Sequence, residues 1–88
     1  ILLMSFYVYM LKCLTCKKSK TYVGYTNNLN KRLLKHNTNK GAKSTRGNSW
    51  KIVFKKKFTT RSEAMKYEYS IKKNRKKRLF ILKHNHIK

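Results

Sequence analysis

The chain carries only two carboxylates, Glu63 and Glu68, against 24 lysines and arginines. Chemistry that needs an acid, a base or a metal ligand therefore has few residues to draw on, and spacing singles out one group of them. Arg32 and His36 lie one helical turn apart, beside Leu29 and Leu33, at the intervals of three, four and seven that share a helix face. Arginine on a helix ordinarily faces water. Here Arg32 and His36 stand next to apolar residues, so both can point into a groove at the edge of the core. Just ahead, Tyr22-Val23-Gly24-Tyr25-Thr26 reads as a strand that ends at glycine. Gly24 lets the backbone approach a ligand closely, or take a dihedral that other residues resist. A strand, a glycine and a helix presenting Arg and His suit a phosphate. The plainer alternative is an amphipathic helix with solvated cations.

The two carboxylates separate by context. Thr60-Arg61-Ser62-Glu63 matches a capping box with Thr60 as the cap, which gives Glu63 a structural task. Glu68 falls four residues after Ala64 and three before Ile71, on the margin of the apolar stripe formed by Ala64, Tyr67 and Ile71. A carboxylate turned toward a core is costly unless something pairs with it. A salt bridge is one reading, and a divalent metal is the sharper one. Cys13 and Cys16 form a single Cys-x-x-Cys. Zinc would need two further ligands, and only His84 and His86 are spare. Two ordinary thiols in a reducing compartment are the expectation.

These residues sit in a chain of 88 with no proline and a hydrophobic fraction of 40%, enough for one small domain over 1–88. The formal charge of +22 opposes compaction and points to a polyanionic partner. AT-rich codons account for some of it, because Lys, Asn, Ile, Tyr and Phe are enriched together and only five of the 24 cations are Arg. DNA, duplex or branched, is the first candidate and RNA the second; neither a membrane nor a small-molecule ligand is expected. Residues 1–11 are mostly apolar but too short to span a bilayer, and read as a buried strand. The chain does not begin with Met, so Met4 is a candidate start and residues 1–4 read as an upstream extension. The expected location is intracellular, cytoplasmic or nucleoid; the run Lys72–Arg78 also resembles a nuclear localisation signal.

The elements that must position these residues follow from periodicity and breakers. Phe6–Cys13 and Lys20–Tyr25 read as a hairpin across a polar turn. Asn27 or Asn28 can cap a helix running to about Asn37. Residues 38–49 form a loop whose Lys40, Lys43, Thr45 and Arg46 suit phosphate contacts, and twelve structureless residues in so small a domain usually serve a function. Trp50–Phe58 is a third strand, Arg61 to about Lys73 a second helix, and the basic segment 74–88 a third. The expectation is an α+β fold in the order β-β-α-β-α-α, a three-stranded antiparallel sheet flanked by helices.

Tyr7-Val8-Tyr9 and Tyr22-Val23-Gly24 resemble the paired signatures of the GIY-YIG nuclease superfamily. Arg32 with His36 matches the helix after the second signature. His36-Asn37, Lys40-Gly41-Ala42-Lys43, Thr45-Arg46-Gly47 and Ser62-Glu63-Ala64-Met65 are similar to its small single-domain bacterial branch. Glu68 stands at the family's metal position, followed by Ile71-Lys72-Lys73. The resemblance covers Phe6 to about Lys73 and implies a divalent-metal-dependent endonuclease acting on DNA, with larger relatives serving in excision repair, homing introns and branched junctions. It implies catalytic roles for Tyr9, Tyr22, Arg32, His36 and Glu68. Two departures stand out. Tyr7 replaces the first glycine of the signature, and the asparagine that many relatives carry after the glutamate has no clear match, since Asn74 comes early and Asn85 late.

Residue chemistry fits that implication. With Glu63 engaged as a cap, Glu68 is the remaining metal ligand, suited to one weakly held Mg²⁺ or Mn²⁺ that keeps several waters and shares the substrate phosphate. Arg32 can grip a phosphate through its planar fork. Gly24, Lys35, Lys40, Lys43, Thr45, Arg46, Lys72 and Lys73 are the expected nucleic-acid contacts. A free tyrosine titrates near 10; a metal and a dense positive field would favour a phenolate, so Tyr9 or Tyr22 can act as base, with His36 the alternative. The rival reading is a non-catalytic DNA- or RNA-binding module with a decayed site. A basic ribosome-associated protein fits the composition but not the Tyr, Arg and Glu pattern.

Overall fold

Strand β1 (Phe6–Cys13) is the centre of the molecule. It pairs antiparallel with β2 (Thr21–Thr26) on one side and β3 (Trp50–Phe58) on the other, giving the sheet order β2-β1-β3. Helices α1 (Leu29–Asn37), α2 (Arg61–Lys73) and α3 (Arg75–His84) complete the order β-β-α-β-α-α. The computed structural model describes residues 5–84. The expected upstream extension and the tail with Asn85 and His86 lie outside the described residues. Within them, no helix is long and apolar enough to cross a membrane.

Alternation along β1 divides the core into two. Val8 and Met10 join Val23, Ala64, Ile71 and Ile81 beneath α2 and α3. Tyr9, Leu11 and Cys13 face the other way, with Trp50, and pack against Leu29 and Leu33 of α1. The central strand thus presents Tyr9 to the helix that carries Arg32 and His36. Register supports this placement, since Tyr9 stands opposite Gly24 on β2 and Lys55 on β3. Between Met10 and Leu11 the β1–β3 ladder slips by one residue of β3, a bulge. It lets Ile52 join the α1 side while Val53 and Phe54 join the other.

Caps set the helix starts. Asn28 accepts the Lys31 amide and opens α1. Thr60 accepts the Glu63 amide and opens α2, while its hydroxyl donates to the Glu63 carboxylate at 2.9 Å. Glu63 therefore closes on the capping hydroxyl rather than on the capping amide.

Two expectations are corrected. Residues 38–49 are not structureless: Lys43–Thr45 form a 3-10 turn that packs on α1 and β3. Trp50 Nε1 donates to the Thr45 carbonyl at 2.9 Å, and Asn37 exchanges two hydrogen bonds with the Trp50 backbone. Cys13 and Cys16 are joined as a disulfide rather than held as thiols. The turn leaving β1 brings their Cα atoms to 5.8 Å, inside the span that a disulfide bridges. Zinc at this pair is excluded with it, and among the described residues no group of three or more His, Cys, Asp or Glu could hold a metal.

Candidate active site

Tyr9 is 2% exposed, and its hydroxyl has two partners. Arg32 Nε donates to it at 3.2 Å, and His36 Nε2 lies 2.9 Å away. Behind His36, Nδ1 lies 2.9 Å from the Thr45 hydroxyl, which itself donates to the Ala42 carbonyl at 2.8 Å. The one-turn spacing of Arg32 and His36 on α1 is what lets both reach one tyrosine. Tyr22, half-buried on β2, packs its ring on His36 with centroids 4.8 Å apart. Tyr9, Tyr22, Arg32 and His36 therefore form a single cluster.

Glycines make the cluster possible. A Cβ at Gly24 would stand 2.6 Å from the Tyr9 hydroxyl, and a Cβ at Gly41 would stand 2.5 Å from His36 Nδ1. Neither position has a positive φ; each is glycine because a neighbour occupies the space. Gly24, expected to touch nucleic acid, is buried against Tyr9 instead. Thr45, also expected as a phosphate contact, is fully buried with its hydroxyl engaged inward.

Burial sets the protonation states. It raises Tyr9 to about 12, against which the hydrogen bond from Arg32 acts only in part. Without a bound cation, desolvation outweighs the positive field and Tyr9 keeps its proton; the expected phenolate is one that a metal would favour. Burial lowers His36 to about 4, with repulsion from Arg32 adding to the effect. His36 is therefore neutral near pH 7. The hydrogen bond to Tyr9 raises Arg32 further above its ordinary value, and Tyr22 contributes to the same end.

Glu68 lies on the half-buried margin of α2, with its side chain 16% exposed, and Lys72 Nζ sits 3.5 Å from its Oε1. It is close enough to Tyr9 for its charge to raise that group. Of the remaining expected contacts, Lys35 lines a shallow pocket with Arg32, Lys31, Thr26, Asn27 and Asn28. Lys40, Lys43 and Arg46 are exposed, and Lys73 lies over the Tyr69 ring. Tyr22 opens onto a groove at the edge of β2, lined also by Thr21, Val23, Lys72 and Arg78. Arg78 was not singled out by spacing. Its guanidinium caps the carbonyls of Ile71 and Lys72 at the end of α2, a role with no short-range signal. Gly41 has no short-range signal either: its purpose is the space beside it that His36 fills.

The model of the GIY-YIG catalytic domain matches residues 5–81. The chain belongs to the GIY-YIG family. A UPF0213 protein from Oceanobacillus iheyensis is 51% identical over 67 residues, covering 75% of this chain and 74% of that protein. The UPF0213 protein YazA of Bacillus subtilis is 45% identical over 69 residues, covering 75% and 70%. Among solved structures, the solution NMR structure of a UPF0213 protein from Bacillus halodurans is 38% identical, covers 91% of this chain and 84% of its own, and superposes with a TM-score of 0.53. Membership places this GIY-YIG domain in a nuclease superfamily and implies a nucleic-acid substrate. The signature tyrosines are the two that meet at Arg32.

Proposed function

We propose that this GIY-YIG domain is a metal-dependent endonuclease that hydrolyses phosphodiester bonds in DNA inside the cell. One observation carries the reading: Arg32 donates Nε–H to the Tyr9 hydroxyl while neutral His36 stands on the hydroxyl's other side. Hydrolysis needs a water relieved of a proton and a phosphorane relieved of charge. Arg32 engages Tyr9 through Nε and keeps its terminal nitrogens for a phosphate oxygen pair, a bidentate grip. Tyr9, at about 12, is too weak an acid to rest as phenolate. It passes its proton to His36 Nε2 as it takes one from the water, so no isolated buried phenolate forms. Tyr22, at the groove edge, orients the substrate beside Arg32.

The donor set fits one weakly held ion and no more. Among the described residues, Glu68 is the only carboxylate whose charge bears on Tyr9, and a single acid suits Mg²⁺ or Mn²⁺ that keeps most of its waters. Glu68 would hold the ion, which when bound neutralises phosphate charge as a Lewis acid. Lys72 must then leave Glu68, and the exposed phosphates of a substrate give it an alternative partner.

The pairing of Glu68 with Lys72 favours the rival reading, a binding module in which Lys72 permanently stands in for the ion. A nicking assay on supercoiled and branched DNA with Mg²⁺ or Mn²⁺ separates the two. The endonuclease reading expects cleavage that Glu68→Gln abolishes with binding kept. Absence of wild-type cleavage on every substrate would leave the module.

A further inference from the structure

We propose that Thr45 is a positioning residue that fixes the tautomer of His36 and so sets the direction in which the Tyr9 proton points. The inference rests on the catalytic reading of Tyr9 above, but its first test does not need activity.

The assignment follows from counting hydrogens. Thr45 has one hydroxyl hydrogen, and its oxygen lies 2.8 Å from the Ala42 carbonyl oxygen and 2.9 Å from His36 Nδ1. A carbonyl can only accept. If the hydroxyl turned to His36, two acceptor oxygens would stand 2.8 Å apart with no hydrogen between them. The hydroxyl therefore donates to Ala42, and its oxygen accepts from His36 Nδ1–H. His36 is neutral in this buried site, so Nε2 carries a lone pair and accepts from Tyr9. Arg32 Nε–H then donates to the Tyr9 oxygen. Every hydrogen in the chain Arg32, Tyr9, His36, Thr45, Ala42 has one place.

The surroundings hold Thr45 to this task. It is fully buried, its carbonyl accepts from Trp50 Nε1, and its amide donates to Ala42 at 3.1 Å. Gly41 leaves room for the imidazole, since any Cβ there would meet Nδ1. Among the described residues, no buried side-chain polar atom of the cluster lacks a partner. Had His36 the other tautomer, Nε2–H and Arg32 would both aim donors at the Tyr9 oxygen. Tyr9 would then have no acceptor for its own proton.

The experiment records ¹⁵N imidazole spectra of the folded protein for wild type, Thr45→Val and Thr45→Ser, with DNA binding and single-turnover cleavage alongside. Wild type should show His36 protonated at Nδ1. Thr45→Val, similar in shape but without the hydroxyl, should shift His36 toward the Nε2–H form. Cleavage should slow about 10- to 100-fold while DNA affinity stays unchanged. Thr45→Ser restores the hydroxyl and should restore both the tautomer and the rate. Wild type protonated at Nε2, or an unchanged tautomer in folded Thr45→Val, would overturn the proposal. So would a Thr45→Ser variant as impaired as Thr45→Val, which would make the methyl rather than the hydroxyl the important group. If Thr45→Val fails to fold, the wild-type tautomer and Thr45→Ser still decide. Absence of wild-type cleavage with His36 protonated at Nδ1 would sink the nuclease reading and leave this one standing.

Discussion

His36 shows how far residue types alone can carry an argument. The four-residue spacing from Arg32 announced a shared helix face, and the structure has both residues on Tyr9. The spacing could not reveal depth: His36 is fully buried and meets solvent nowhere. That burial is testable by pH. Its folded value of about 4 lies below the ordinary value of 6.5, so as pH falls the unfolded chain takes up a proton that the folded chain refuses. Stability from this group is therefore full above about pH 6.5 and is lost as pH falls from there to about 4, by roughly 3 kcal/mol in all. The chain has only two acidic side chains to blur the effect. Urea midpoints measured across that window should fall steadily toward acid. A flat profile from pH 6.5 to 4.5 would mean that His36 is solvated or charged in the folded state.

At the scale of elements, strands and helices were legible because each has a local cause. Alternation on β1, Asn28 and Thr60 as caps, and the apolar stripe Ala64, Tyr67, Ile71 all act within a few residues of chain. The segment 38–49 was not legible, because its order comes from partners far along the chain, chiefly His36 and Trp50. Thr45 and Gly24 were misread for the same reason: a hydroxyl and a glycine look available until the side chain that occupies them is known. The glycines of this segment give a contrast. Gly41→Ala would place a Cβ 2.5 Å from His36 Nδ1 and 2.9 Å from the His36 Cα, where backbone cannot yield cheaply. Gly47 has φ +83 but open space around it, so Gly47→Ala meets only backbone strain, about 1–2 kcal/mol. Gly41→Ala should cost more, on the order of 2–3 kcal/mol from overpacking, and should slow any cleavage by displacing His36. Equal denaturation midpoints for the two variants would contradict the packing of the 3-10 turn on α1.

The charge of +22 belongs to the whole molecule, and it is both the plainest signal and the least specific one. It predicts attachment to a phosphate backbone, with affinity that falls with salt, whether or not any bond is cut. What separates an enzyme from a basic binder is a cation whose geometry, not its charge, matters. Arg32 is that cation, since its Nε–H donates to the Tyr9 hydroxyl and Tyr22 raises it further above its ordinary value. The most direct test is the single-turnover cleavage rate of Arg32→Lys at saturating protein with Mg²⁺ or Mn²⁺, on any DNA that wild type cuts. Lysine keeps the charge but not the planar fork. Affinity should hardly change, because 23 other cations remain, while the rate should fall about 30- to 1000-fold, equivalent to roughly 2–4 kcal/mol of transition-state stabilisation. A folded Arg32→Lys variant that cuts at the wild-type rate would contradict the account, for Arg32 would then be one more surface charge.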